Sequence, residues 1–269
     1  MKYLSKSTLL TVMLVSAFSA TSTAYANEAV EPASPHSLTT NIGFFTDYTY
    51  RGISLARERG AVQGGIDYSH SSGFFLGAWG TNIEKNALYG NTVELDVYGG
   101  YAHKINDDWT ATAGFLSYFF PDSDRPVDAV GIKGTTPNTT ELNAAVTYKY
   151  FTLKHSVSVT DFFGYDFSGS GSSRGSGYTE FNVNYKLPVA DLNLAVHVGR
   201  LNVRNYSELN YTDWLVGVNK DFSIAGSTGW NAGVNYTTTN ADDTVYVDTS
   251  DGKWKTGNDR LIGYIKRTF

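Results

Sequence analysis

From Asn41 to the C-terminus, apolar side chains recur at every second position in nearly every segment, where a helix would repeat every 3.6. A period of two puts successive side chains on opposite faces of an extended strand. The chain is therefore committed to β-structure with one apolar and one polar face. The first segment sets Ile42, Phe44, Thr46, Tyr48 and Tyr50 against Gly43, Phe45, Asp47, Thr49 and Arg51. Similar segments cover 62–69, 74–83, 93–101, 109–120, 140–149, 153–160, 179–185, 192–198, 213–219, 230–236 and 260–269, which makes twelve candidate strands. Segment 74–83 is apolar on both faces and 109–120 alternates weakly, so the facing of these two stays open.

The connections carry a second pattern. Those at 54–60, 84–91, 121–138, 164–177, 200–210 and 238–258 are the longer ones, and those at 70–73, 105–108, 150–151 and 186–191 are short. The stretch 221–229 breaks the parity by looking long for a turn. An up-and-down transmembrane barrel requires such parity, with tight turns on one side of the membrane and loops on the other, whereas a soluble sandwich does not. The mean hydropathy of −0.26 and the lack of an internal 18-residue apolar run argue against a helical membrane protein. In hydrocarbon, strands survive only as a closed barrel that pairs every backbone group. A tilted strand of about 9–11 residues spans the core, close to the length of these runs.

Aromatic residues add to this reading. Tyr48, Tyr50, Tyr101, Trp109, Tyr148, Tyr150, Tyr185, Tyr211, Trp214, Trp230 and Tyr236 fall near strand ends, where a girdle of amphipathic rings would sit at the headgroups. The chain stops on Phe269, at the end of an alternating strand. That resembles the signal read by the outer-membrane barrel-assembly machinery, although Arg267 breaks the apolar register. With no cysteine, the chain has no disulfide framework and no thiolate chemistry. Its formal charge of −5 argues against nucleic acid as a partner.

The N-terminus reads as an export signal. Lys2 and Lys6 precede an apolar run from Leu9 to Ala20, and Ala24 and Ala26 supply the small residues of a cleavage site after position 26. Cleavage removes two lysines and takes the formal charge from −5 to −7. Residues 27–40, with two prolines and no period, read as a flexible periplasmic leader to a barrel over 41–269. Biogenesis would then involve periplasmic chaperones and the assembly machinery. The mature partners would be outer-membrane lipid and lipopolysaccharide.

At Tyr50-Arg51-Gly52-Ile53-Ser54, Gln63-Gly64-Gly65-Ile66-Asp67-Tyr68, 73–82 and 93–101, the sequence resembles the TorF family of porin-type outer-membrane barrels of Gram-negative bacteria. The resemblance covers the first three or four strands and implies passive transport. It brings no substrate and no catalytic residue.

On these facings the lumen receives Asp47, Arg51, Asp67, Glu94, Asp96, Glu141, Lys149, Lys154, Glu180, His197, Asp213, Arg260 and Lys266. Acids lead slightly, which points to a weak cation preference if these residues line a pore. Twelve strands about 4.8 Å apart and tilted about 40° make a barrel roughly 25 Å across, narrowed by side chains to small hydrophilic solutes or ions. Two other readings stand beside the pore. The charges could pair and fill a closed barrel, or a non-conducting barrel could serve structure or adhesion through its long loops. Arg51, Arg57 and Arg59 could charge the loop-side mouth, or simply be solvated. Asp242, Asp243, Asp248 and Asp251 lack the ligand spacing of a calcium loop. No enzyme motif, metal site or cofactor is expected. His155 beside Ser156 and Ser158 does not form a triad, because neighbours along a strand point to opposite faces.

Overall fold

The computed structural model describes residues 34–269 apart from 86, 89, 122–135, 168 and 249–251. The export signal with Ala24 and Ala26, the start of the leader and Asp251 lie outside the described residues. The rest forms a closed antiparallel barrel of twelve strands. They are β1 (His36–Phe45), β2 (Ala61–His70), β3 (Phe74–Asn82), β4 (Val93–Lys104), β5 (Trp109–Phe119) and β6 (Thr139–Tyr148). The second half holds β7 (Phe151–Ser158), β8 (Gly177–Lys186), β9 (Leu192–Asn202), β10 (Tyr211–Ile224), β11 (Ser227–Thr239) and β12 (Arg260–Thr268). Each strand pairs with its sequence neighbours, and β12 returns to pair with β1.

Alternation translates directly into facing. Leu38, Ile42, Phe44, Val62, Ile66, Leu76, Leu142, Leu153, Val216 and Leu261 stand exposed on the outer wall, while their neighbours turn inward. That distribution inverts a soluble barrel and suits a wall that faces hydrocarbon. The two undecided strands resolve the same way. Phe75, Trp79 and Thr81 of β3 point inward, as do Leu116 and Tyr118 of β5, while Phe74, Leu76 and Phe119 face out.

All the tight turns gather at one rim, with Phe269, and the long connections at the other. The stretch 221–229 obeys the parity after all. β10 and β11 extend past their alternating cores, across a bulge between Phe222 and Ile224, to a two-residue turn at Ala225-Gly226. Both turn residues have positive φ, 48° and 81°, which matches the twist of a tight hairpin. At the turn rim, aromatic rings pair across strands: Phe74 with Tyr101, Trp109 with Tyr148, and Tyr150 with Tyr185. Tyr48, Tyr50 and Tyr211 do not join a girdle. They pack inside the barrel, because the chain leaves the wall at Phe45 and the inward face of β10 begins at Tyr211.

The strand region starts within 27–40, the stretch read from the sequence as a leader. β1 begins at His36, in register with β2 from His36↔His70 to Phe45↔Ala61. Backbone pairing holds this stretch although its side chains are mostly polar, so hydropathy gives it no signal. The seam between β1 and β12 has the shortest ladder, from Asn41↔Thr268 to Phe45↔Tyr264. Phe269 extends it: its N–H donates to the Thr40 carbonyl at 2.8 Å, and its own carbonyl accepts the Thr40 N–H at 3.3 Å. Deleting Phe269 is expected to lower the fraction of chain that refolds in detergent into a barrel migrating fast on an unheated gel. An unchanged fraction would remove the terminal pair from the seam's stability.

Candidate functional site

The interior is built around a segment that the wall sends inward. After Phe45 the chain turns into the lumen and forms a hairpin in which Thr49 pairs with Ser54 and Tyr50 with Ile53. Arg51 (φ 48°) and Gly52 (φ 80°) make its tip. Glycine is required there on two counts. The left-handed backbone disfavours a side chain, and a Cβ would lie 2.5 Å from Thr239 Cγ2 and 2.9 Å from Asp213 Cβ. The tip therefore abuts β10 and β11, across the lumen and two to three strands away from its own root between β1 and β2.

Arg51 fixes the tip laterally. Its Nη2 donates to both oxygens of Glu141 on β6, at 2.9 and 2.7 Å. Its guanidinium lies 4.0 Å from the centre of the Tyr178 ring and 4.8 Å from that of Tyr50. Tyr50 meets Tyr118 and Phe163 edge-on. These rings join Phe120, Phe162, Leu201, Tyr206, Leu209 and Tyr211 in one apolar cluster that fills the loop-end half of the interior.

Asp47 holds the root. One of its oxygens accepts the Tyr48 N–H (2.9 Å), the Ser54 hydroxyl (2.9 Å) and the Glu58 N–H (3.1 Å). The other lies 3.2 Å from Arg260 Nε on β12. Burial pushes the Asp47 carboxyl above its ordinary value, opposed by Ser54, the Glu58 N–H and the Arg260 cation. Arg260 also donates to the carbonyls of Thr256 (2.8 Å) and Lys255 (2.7 Å) and stacks on Trp254. The first and last long connections are thus bound through one guanidinium.

A second network lines the opposite wall. Lys154 Nζ is 3.1 Å from Glu180, and Asn182 donates to Glu180 at 3.1 Å. His197 lies between Asn182 (Nδ1, 2.7 Å) and Asp213 (Nε2, 2.8 Å), and the Tyr178 hydroxyl donates to Asp213 at 2.9 Å. On the β2–β4 wall, Tyr48 donates to Glu94 at 2.8 Å and Tyr98 to Asp67 at 2.5 Å. Asp96 is buried nearby, and one of its oxygens has no hydrogen-bond partner among the described residues.

The structure thus brings Asp47, Arg51, Asp67, Glu94, Asp96, Glu141, Lys154, Glu180, His197, Asp213, Arg260 and Lys266 inside the wall, the last packed towards the turn rim. Lys149 is not among them. It is an exposed turn residue with φ 54°, 3.6 Å from Asp108, because β6 ends one residue earlier. Its loss leaves four interior cations from the expected set, Arg51, Lys154, Arg260 and Lys266, facing seven carboxylates. Arg57 and Arg59 are not free at the mouth but pair with Asp248 (3.1 Å) and Glu84 (3.0 Å). Among the described residues, no group of three or more acidic or histidine side chains is placed to hold a metal. His155 lies on the outer wall against Thr179. The alternation hid Tyr118, Tyr178, Asn182 and Asn235 as site residues, since nothing local marks an inward polar position as part of a cluster.

Beneath the hairpin lies a cavity of about 160 Å3, roofed by Tyr48, Tyr50 and Arg51 and walled by Glu180, Asn182, His197, Asp213 and Asn235.

A family model described as a bacterial protein of unknown function, Gcw_chp, matches residues 29–269. No curated protein matches the sequence. Among solved structures, the KdgM porin superposes with a TM-score of 0.51 at 9% identity, covering 86% of this chain and 99% of that one. The NanC porin does so with a TM-score of 0.50 at 14% identity, covering 87% and 99%. At such identities the likeness is one of fold.

The buried Arg51–Glu141 pair carries a testable energetic asymmetry. Arg51→Met alone leaves a carboxylate without its cation and is expected to cost about 3 kcal/mol or more in urea unfolding. Arg51→Met combined with Glu141→Leu is expected to recover most of that loss. If the double variant is no better than the single one, the pair is not the unit that holds the tip.

Proposed function

The chain belongs to the Gcw_chp family of bacterial proteins, and we propose that it is an outer-membrane channel for passive diffusion of small hydrophilic solutes or ions, weakly cation-preferring. The resemblance of residues 50–101 to TorF-type porins points the same way, as does the porin fold of the KdgM and NanC structures. The observation that carries the reading is the inverted barrel, with an apolar outer wall and an interior of charged and amide side chains. The excess of interior carboxylates supports the cation preference through the local field.

In this reading the hairpin Thr49–Ser54 sets the narrowest point of the passage, and the long connections face the cell exterior. Lipopolysaccharide surrounds the loop rim, and the assembly machinery reads the strand that ends at Phe269. A second reading is a barrel that does not conduct and acts through its loops. It is favoured by the aromatic cluster that fills the loop-end interior.

Conductance separates the two. Purified folded protein in planar bilayers is expected to show small single-channel steps. Replacing the hairpin by a short Gly-Ser link should enlarge them several-fold. Glu94→Lys with Asp96→Lys should move the reversal potential in a salt gradient towards anion preference. If neither the native chain nor the hairpin variant conducts above background, the non-conducting reading stands instead.

A further inference from the structure

We infer that the cavity beneath the hairpin is a binding site for a neutral, hydroxyl-rich solute on the scale of one sugar ring. The inference rests on the channel reading and names the solute class that its lumen fits. Charge balance is the first ground. The charged groups that line the cavity already hold partners: Arg51 with Glu141 at 2.7 Å, Lys154 with Glu180 at 3.1 Å and Asp47 with Arg260 at 3.2 Å. Asp213 accepts the Tyr178 hydroxyl at 2.9 Å and is hydrogen-bonded to His197 at 2.8 Å. An ion entering would give up its water without gaining a free counter-charge.

The uncharged polar groups are the second ground. Asn182, Asn184, Asn235 and Gln63 reach the cavity from three different strands, β8, β11 and β2. An amide both donates and accepts, as a hydroxyl does, so amides converging from several directions match a polyol better than an ion. Two atoms in this lining have unused capacity. The Asn235 Oδ1 and the Tyr50 hydroxyl are buried with no hydrogen-bond partner among the described residues. Asn235 is only 3% exposed, and its Oδ1 occupies the space that a Cβ on Gly217 would take. Both residues border one cavity, and a small reorientation of either side chain would let a ligand hydroxyl satisfy its unpaired group.

The rings are the third ground. Tyr48, Tyr50, Tyr118 and Tyr178 border the same cavity and present apolar surface to the C–H face of a sugar. The volume of about 160 Å3 suits a solute on the scale of one ring. Towards the turn rim the amide surface continues, with Asn193 and Asn231 both donating to Asn219 at 3.0 and 2.9 Å.

Glucose, glucuronate and glucosamine share one ring and differ in charge, so they separate the possibilities. Calorimetric titration of the folded, detergent-solubilised full chain should show saturable binding of glucose at least fivefold tighter than of glucuronate or glucosamine. Tyr50→Phe, which removes one hydroxyl, and Asn235→Leu should each weaken glucose binding several-fold while the barrel still migrates as folded. Binding of either charged sugar as tight as glucose, or no saturable binding of glucose by protein that conducts potassium chloride, overturns the inference and leaves the channel intact. Glucose binding by protein that never conducts would support the site and defeat the channel.

Discussion

In the proposed outer-membrane setting, hydrocarbon offers no hydrogen bonds, and that single deficit organises the molecule. A strand placed in it must spend every backbone N–H and C=O on a neighbouring strand, and the first strand must find the last. Once β1 and β12 meet, the inside is defined, and side-chain alternation sorts apolar groups outward and polar groups inward without further instruction. The seam is the weakest part of this closure, with the shortest ladder of the barrel, and the terminal residue extends it by a backbone pair to Thr40.

The interior then faces the opposite problem, since polar groups withdrawn from bulk water need partners. Here the wall cannot supply them all, and a loop is used instead. The hairpin at Thr49–Ser54 brings Arg51 to Glu141, and Asp47 collects three donors and a guanidinium. Buried pairs of this kind contribute little net stability over an apolar replacement, but breaking one leaves an isolated charge. Their effect is positional: they set where the hairpin lies, and so how much of the lumen stays open.

Much of the barrel was legible in the sequence because its causes are local. Twelve alternating runs, the parity of their connections and the outward Leu, Ile and Val positions all follow from a two-residue period. The failures have equally physical origins. Residues 46–51 keep alternating after the wall has ended, so the inward turn at Asp47 looked like more strand. Ala225-Gly226 is a turn because both residues take positive φ, which Gly226 advertises and Ala225 does not. Lys149 alternates correctly and still lies outside, since β6 stops at Tyr148. Residues 36–40 are strand by backbone pairing alone. The ion pairs of the site were beyond reach: which carboxylate Arg51 meets depends on how far the hairpin crosses the barrel.

The contact between Asp47 and Arg260 joins the first long connection to the last strand. It spans the seam, setting Arg260 of β12 against the root of the hairpin that follows β1. An open seam would leave the hairpin without this anchor on that side. The seated hairpin is therefore tied to the closed circle, with its root held where the first and last strands meet.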